Sequence, residues 1–111
     1  MKIFITGVAG FLGSHLADLM LSQGHTVAGN DNMIGGYSDN VPQDVEFHQV
    51  DCCDLENLTK AMEGCDIVYH TAATAYEGLS VFSPVLVTRN IFEASVTTIT
   101  AAIRNKVKRI V

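Results

Sequence analysis

Short apolar runs alternate along the chain with longer segments whose apolar residues repeat at helical spacing. The short runs predict five strands, over residues 2–6, 26–30, 45–50, 66–70 and 107–111. The longer segments predict three helices, over residues 11–22, over 55–63 and from 83 to about 105. Because strands and helices alternate, we expect an α/β fold whose parallel sheet is covered by helices on both faces.

A few residues mark the ends and the packing face of these helices. Gly24 suits a left-handed turn that ends the first helix, and Asp54 can cap the second. Ser83 and Pro84 are a typical N-cap and first-turn pair for the long helix. Residues 32–44 are rich in Asn, Gly, Ser, Asp and Pro and predict a loop. The apolar residues of the first helix predict one buried stripe, formed by Leu12, Leu16, Leu19 and Met20.

The order of the strands follows from their connections. The 111 residues suffice for one domain, spanning 1–111. Right-handed crossovers predict a doubly wound sheet with strand order 3-2-1-4-5. The winding of the chain reverses between strands one and four, so a ligand is expected at their carboxyl ends. The last apolar run stops at Val111, and we interpret it as a fifth strand cut short, which leaves the sheet truncated at strand 5.

Three glycines at intervals of three residues lie between the first strand and the first helix. Gly7 allows a sharp turn, Gly10 lets the backbone approach a pyrophosphate, and Gly13 lets the helix lie close on the strand. The unpaired N–H groups at the start of that helix then face the phosphates with a partial positive charge. This arrangement is typical of dinucleotide binding, whereas a glycine pattern without the flanking strand and helix would indicate ordinary turns.

An acidic residue follows the second strand at the spacing that a dinucleotide site requires. Asp31 lies 18 residues after Gly13, and its carboxylate can accept hydrogen bonds from both hydroxyls of a ribose while repelling a 2′-phosphate. No Lys or Arg occurs between Lys2 and Lys60, so no cation is available nearby in the sequence for NADP. The residues therefore favour NAD, and the alternative is that Asp31 is a solvated turn residue.

Composition excludes several other classes of function. The net charge of −5 argues against nucleic acids and anionic membranes as partners, and no run of 18 apolar residues predicts a membrane span. We expect no cleaved leader, because the first strand begins at Lys2. The three cysteines show no Cys-x-x-Cys spacing, so we expect no metal site and interpret them as reduced thiols in a cytoplasmic protein.

The glycine segment, Thr6-Gly7-Val8-Ala9-Gly10-Phe11-Leu12-Gly13, resembles the Thr-Gly-x-x-Gly-Phe-Leu/Ile-Gly motif of the extended short-chain dehydrogenase/reductases. The similarity is closest to their NAD-dependent epimerase/dehydratase group, which acts on nucleotide sugars and has a Rossmann-type fold. Asp31-Asn32, Val50-Asp51-Cys52 and His70-Thr71-Ala72-Ala73 match three further motifs of that group. The resemblance implies thirteen NAD-binding residues, namely Gly7, Gly10, Phe11, Leu12, Gly13, Asp31, Asn32, Asp51, Cys52, Thr71, Ala72, Ala73 and Asn90.

In that family the segment after strand three holds adenine. Small residues after strand four let the backbone pass close to the nicotinamide ribose. The resemblance therefore assigns adenine to Asp51 and Cys52, and it implies that Asn90 steadies the backbone near the site. Three alternatives stay open: Asp51 as a helix-capping acid, His70 as a core histidine, and Asn90 as an exposed polar residue of the long helix. We favour the structural role for His70.

The resemblance implies that the full-length protein is an NAD-dependent epimerase or dehydratase with a nucleotide-sugar substrate. The family's proton-transfer pair, Tyr-x-x-x-Lys, does not occur here, because Tyr37, Tyr69 and Tyr76 are each followed four residues later by another residue type. We therefore expect no catalytic residue in these 111 residues and no turnover by them alone. Relatives dimerise through helices, so the long helix could contribute to a homodimer. The alternatives are a non-catalytic dinucleotide-binding regulatory module and an NAD-dependent ketone or steroid reductase of the same family.

Overall fold

The computed structural model describes residues 1–111, and its five strands form one parallel sheet. The order of the strands is β3-β2-β1-β4-β5, which confirms the predicted α/β topology. The strands are β1 (Lys2–Thr6), β2 (Thr26–Asn30), β3 (Glu46–His48), β4 (Ile67–His70) and β5 (Arg109–Ile110). The two outer strands, β3 and β5, are shorter than the predicted runs, because only their central residues pair with a neighbouring strand.

The helices follow the predicted sequence order, with two additions. They are α1 (Phe11–Ser22), α2 (Leu55–Ala61), α3 (Leu79–Phe82), α4 (Pro84–Thr88) and α5 (Ala94–Arg104). The predicted long helix is continuous from α4 to α5, but a π-helical turn at Arg89–Glu93 joins its two parts. The short helix α3 and a 3₁₀ turn at Ser38–Asn40 lie in segments that we expected to be loops. None of the helices combines the length and the apolar character needed to cross a membrane.

Two hydrophobic cores form because successive strand residues point to opposite faces of the sheet. On one face Phe4 and Val68 pack with α2 and α5 through residues such as Leu58 and Ala101. On the other face Ile3, Ile5 and Val27 pack with α1 through Ala17 and Met20. A sheet covered on both faces requires near-continuous apolar strands, and β1 has four buried residues out of five.

The face of α1 that packs on the sheet differs from the predicted stripe. Its buried residues are Gly13, Ser14, Ala17 and Met20. Leu12 and Leu19 are 63% and 49% exposed, so the predicted stripe is wrong for these two leucines. The reason is that α1 lies very close to the end of β1, where only small side chains fit between helix and sheet.

The helix ends lie where the three expected signals place them. Gly24 has a φ of 81°, the left-handed conformation expected after α1. The Asp54 side chain accepts a hydrogen bond from the Asn57 backbone N–H at 3.2 Å and caps α2. Ser83 occupies the N-cap position of α4 and Pro84 its first turn, as expected, although the Ser83 side chain makes no capping hydrogen bond.

The register of the central strands brings three chain segments to one place. Thr6, the last residue of β1, pairs with Asn30 at the end of β2 and with His70 at the end of β4. The glycine loop, Asp31 and Thr71 follow directly after these three strand ends. The sheet therefore assembles residues far apart in sequence at the edge where the winding reverses.

Candidate functional site

A cleft of about 450 Å³ lies at the carboxyl ends of the strands, a typical size for a small-molecule site. It is lined by 21 residues. The cleft brings together most of the thirteen residues proposed from the sequence, namely Gly7, Gly10, Phe11, Asp31, Asn32, Asp51, Cys52, Thr71, Ala72, Ala73 and Asn90. Leu12 and Gly13 do not line it. Leu12 is exposed, and Gly13 is buried between α1 and the end of β1.

The glycine loop turns at Gly7, whose φ is 69°. The backbone N–H groups of Gly7 and Val8 both donate to the Asn30 carbonyl, at 2.8 and 3.1 Å, so the loop is fastened to the end of β2. A Cβ on Gly7 would lie 2.9 Å from the Ala72 Cα, which no backbone could accommodate without moving. Gly7 is therefore required by the loop itself and by the neighbouring wall of the cleft.

The other two glycines of the motif have different surroundings. A Cβ on Gly10 would meet only the Gly7 carbonyl oxygen, at 3.2 Å, and would otherwise occupy free space where Gly10 lines the cleft. A Cβ on Gly13 would collide with the Gly7 carbonyl oxygen and lie 2.9 Å from both the Gly7 carbonyl carbon and the Val8 Cα. Gly10 thus leaves room in the cleft, whereas Gly13 allows the helix to pack.

The Asp31 carboxylate organises the loop that follows β2. One oxygen, Oδ2, accepts from the Ala9 backbone N–H at 3.1 Å, and Oδ1 accepts from the Met33 N–H at 2.9 Å. The residue is only 8% exposed, so the alternative of a solvated turn residue is wrong. Each carboxylate oxygen has a second lone pair, and Asp31 lines the cleft, so it can accept further hydrogen bonds from a ligand.

Asp51 lies beside Asn32 at the same edge of the cleft. Its Oδ1 accepts from the Cys53 N–H at 2.7 Å, and its Oδ2 accepts from the Asn32 side-chain amide at 3.3 Å. Burial raises the pKa of Asp51, but these hydrogen bonds outweigh the burial and hold the pKa below its ordinary value. The carboxylate is therefore ionised at neutral pH. Its cap-like bond to Cys53 precedes α2, whereas Asp54 caps the helix itself.

The segment after β4 forms the opposite wall of the cleft. The Thr71 hydroxyl donates to the Thr6 carbonyl at 2.6 Å, and the Ala72 N–H donates to the Thr6 hydroxyl at 3.2 Å. From the π-helical turn, the Asn90 amide donates to the Thr74 hydroxyl at 3.0 Å. Asn90 is half-buried and lines the cleft, so it is not the exposed polar residue of the alternative interpretation.

The His70 ring lies behind this wall and touches no open part of the cleft. Its two nitrogens are within hydrogen-bond distance of the Thr6 and Ser95 hydroxyls, at 2.7 and 3.0 Å. Burial lowers the pKa of His70 below its ordinary value, so the ring is neutral at pH 7. These contacts agree with the structural role that we favoured from the sequence.

The charges around the cleft are largely negative. Its lining includes Asp31 and Asp51 but no Lys or Arg. The tertiary structure nevertheless brings Arg89 near Asp51, where its charge contributes to lowering the Asp51 pKa. Arg89 was not expected here from the sequence, because it lies 38 positions beyond Asp51 and outside the segment between Lys2 and Lys60.

Ten of the lining residues are not among the thirteen proposed from the sequence: Asn30, Ile34, Gly35, Gly36, Thr74, Ala75, Tyr76, Leu79, Leu86 and Ala94. One signal was visible in the sequence, the Gly35-Gly36 pair shortly after Asp31. A Cβ on Gly36 would lie 3.0 Å from the Asp31 carboxylate oxygen. The absence of a side chain at Gly36 therefore lets the loop pass close to that carboxylate. Leu79, Leu86 and Ala94 carry no local signal, because α3, α4 and α5 reach the cleft only through the fold.

The residues present fit a dinucleotide. The start of α1 has no side-chain cap and no acidic residue in its first turn, so its first N–H groups are free to bind an anion. The bare face of Gly10 leaves the space that a diphosphate needs beside these donors. The carboxylates of Asp31 and Asp51 lie at the ends of β2 and β3, where ribose hydroxyls and an amino group would find acceptors.

Comparison with known families agrees with this geometry. The model of the NAD dependent epimerase/dehydratase family matches residues 3–111, nearly the whole chain. The chain belongs to this family. The sheet order is therefore that of a known epimerase/dehydratase fold.

Individual relatives show the same similarity. The chain is 36% identical over 84 residues to the UDP-glucose 4-epimerase of Corynebacterium glutamicum, covering 76% of this chain and 26% of that protein. It is 36% identical over 95 residues to the protein CapI of Staphylococcus aureus, covering 76% and 28%. The chain thus spans about a quarter of the length of these curated relatives.

Among solved structures, the UDP-glucose 4-epimerase of Thermus thermophilus in complex with NAD superposes with a TM-score of 0.94 at 34% identity. The match covers 99% of this chain and 36% of that one. The UDP-glucose 4-epimerase of Thermotoga maritima, solved with UDP-glucose, gives a TM-score of 0.95 at 28% identity and covers the same shares. These likenesses establish the fold of the present chain over nearly its full length.

Proposed function

We propose that this chain is the NAD-binding part of a nucleotide-sugar epimerase or dehydratase. The observation that carries the proposal is the cleft itself, where eleven of the thirteen residues proposed from the sequence meet at the carboxyl ends of four strands. Two findings support it further: the match to the NAD dependent epimerase/dehydratase family, and the similarity to an epimerase solved with NAD.

Each part of the cleft has a separate task in this proposal. The backbone of the glycine loop and the start of α1 hold the diphosphate. The Asp31 carboxylate accepts from the ribose hydroxyls and disfavours a 2′-phosphate, and the Asp51 carboxylate accepts from the adenine amino group. Thr71, Ala72 and Ala73 form the wall beside the second ribose. NAD, when bound, supplies the acceptor and donor of a hydride.

The remaining chemistry of an epimerase or dehydratase requires an acid–base group near the sugar. No tyrosine of this chain is followed four residues later by a lysine, and Tyr76 is the one tyrosine that lines the cleft. We therefore propose that residues 1–111 bind and orient the cofactor without carrying out proton transfer on a sugar. The sugar nucleotide and its turnover belong to the whole protein.

Calorimetric titration of the chain with NAD, NADP and ADP-ribose tests the proposal. We expect saturable binding of NAD and ADP-ribose, because both carry the adenosine diphosphate that most of the cleft contacts, and weaker binding of NADP. A Gly10→Val variant is the matched control, since its side chain fills the space for the diphosphate while its Cβ meets only the Gly7 carbonyl oxygen. The proposal would be overturned if the variant bound each of the three ligands as tightly as the wild type does. It would also be overturned if the folded wild type bound none of them.

A further inference from the structure

A continuous series of hydrogen bonds runs behind the wall of the cleft from β1 to the long helix. The Thr6 hydroxyl lies 2.7 Å from Nδ1 of His70, and Nε2 of the same ring lies 3.0 Å from the Ser95 hydroxyl. The Ser95 hydroxyl in turn lies 2.6 Å from the Ile91 carbonyl oxygen. The series therefore links the strand before the glycine loop to the π-helical turn.

The chemistry of the two ends assigns every proton in this series. The Ile91 carbonyl can only accept, so the Ser95 hydroxyl donates to it and accepts from Nε2–H of His70. Because burial keeps the His70 ring neutral, Nε2 carries its one proton and Nδ1 accepts from the Thr6 hydroxyl. The Thr6 oxygen also accepts from the Ala72 N–H at 3.2 Å. All donors point in one direction, an arrangement in which successive hydrogen bonds strengthen one another.

The groups at the two ends of the series are those that shape the cleft. Thr6 is fully buried, directly precedes Gly7 and holds Ala72 through its hydroxyl. Ile91 directly follows Asn90, whose amide reaches Thr74 across the edge of the cleft. A change in the hydrogen bonds of His70 would therefore alter the positions of the glycine loop, of the wall after β4 and of Asn90.

We infer that His70 and Ser95 are positioning residues that hold Asn90 and the wall at Ala72 in the arrangement that binds the cofactor. The inference rests on the proposed function, because it assumes that the cleft binds NAD. In this inference the His70 ring does more than fill the core. Its two hydrogen bonds fix the position of the helix that carries Asn90 relative to β1. Only the neutral ring with its proton on Nε2 can make this series of bonds.

Protonation of His70 would break the series at Thr6. A proton on Nδ1 would remove the acceptor to which the Thr6 hydroxyl donates. The Thr6 hydroxyl proton would then be buried without a hydrogen-bond partner. The groups that contact the two ring nitrogens are uncharged: the Thr6 and Ser95 hydroxyls. The charged residues of the packed elements, Arg89 and Glu93 on the π-helical turn and Arg109 on β5, make no contribution to the pKa of His70, which burial alone lowers.

A double-mutant cycle on NAD affinity tests the inference, using the full chain and Ser95→Ala, Asn90→Ala and their combination. Loss of one hydrogen bond predicts an affinity about threefold to tenfold weaker in Ser95→Ala. In the Asn90→Ala background we expect Ser95→Ala to add less than about twofold, because the residue through which it acts is already gone. Thr100→Ala is the matched control, since the Thr100 hydroxyl donates to the Val96 carbonyl at 2.8 Å in the same helix without reaching the cleft.

The pH dependence of NAD affinity is the second readout. Between pH 7.5 and pH 5.5 we expect the wild-type affinity to fall and the affinity of a folded His70→Asn variant to change about twofold less or not at all. Both are measured in a His15→Gln background, which removes the exposed imidazole near the start of α1. Thermal melting of each variant identifies any that fail to fold, and Ser95→Ala then stands alone as the test.

Three outcomes overturn the inference. A cycle without coupling, whether from additive effects of Ser95→Ala and Asn90→Ala or from an unchanged affinity in Ser95→Ala with a lowered melting temperature, would show that Ser95 does not act on the cofactor through Asn90. A parallel pH profile in the wild type and His70→Asn would show that the ring does not act on the cleft. Absence of NAD binding to the folded wild type would overturn the proposed function and this inference together, whereas the first two outcomes leave the proposed function intact.

Discussion

The same added methyl group has different effects at the two glycines near the start of α1, Gly10 and Gly13. At one it acts on ligand binding, and at the other on the packing of the helix. At Gly13 an added methyl group would collide with the Gly7 carbonyl and lie 2.9 Å from the Val8 Cα, all of them backbone atoms that cannot rotate away. At Gly10 the same methyl group would meet one oxygen at 3.2 Å and otherwise enter the cleft. We therefore expect Gly13→Ala to destabilise the fold and Gly10→Ala to weaken ligand binding.

The size of the Gly13→Ala effect follows from two opposing contributions. Overpacking against backbone costs about 1–3 kcal/mol, and three close contacts place this site near the upper end. The higher helix propensity of alanine returns up to about 1 kcal/mol, which leaves a net loss of about 2 kcal/mol in the free energy of unfolding. With a urea m-value of about 2 kcal/mol per molar, the midpoint of unfolding should fall by about 1 M.

Urea unfolding followed by circular dichroism measures this loss, and Gly78→Ala is the control. Gly78 has a right-handed helical φ of −62° and no neighbouring atom near an added Cβ, so its midpoint should change little. Gly10→Ala should unfold near the wild-type midpoint but bind NAD at least about tenfold more weakly, if the methyl group occupies the space of the diphosphate. A Gly13→Ala midpoint equal to that of Gly78→Ala would refute the close approach of α1 to the loop.

Three further measurements follow from the structure. Asp31→Ala should weaken NAD binding about tenfold to a hundredfold and reduce the preference over NADP, as measured by titration; unchanged affinities for both would remove Asp31 from the site. Met20→Ala should lower the free energy of unfolding, measured with urea, by about 2–5 kcal/mol, and Leu19→Ala by under about 1 kcal/mol, because only Met20 is buried. Equal losses would mean that Leu19 is buried as the predicted stripe requires. Burial holds the pKa of His70 below the unfolded value of about 6.5, so the unfolded chain binds more protons in that range and the melting temperature should fall as pH drops from 7 to 5.5. A variant His70→Asn should lose this part of the pH dependence, and a fall of the same size in the variant would assign it to other groups.

The order of strands and helices could be predicted because its causes are local. Apolar periodicity distinguishes strands from helices within a window of a few residues, and Gly24 and Asp54 end or begin helices through bonds to their immediate neighbours. The glycine loop was equally accessible, since its three glycines act within seven consecutive residues. The π-helical turn at Arg89–Glu93 had no such signal, because nothing in its residue types distinguishes it from a regular helix.

The residues themselves determined the α/β alternation, the glycine loop and the acid after β2, since each depends on spacing along the chain. Only the tertiary structure decided which face of α1 is buried, that Arg89 lies near Asp51, and that His70 joins Thr6 to Ser95. These contacts join residues 25 to 64 positions apart. The sheet order and the close packing of α1 set their distances, and no local pattern carries that information.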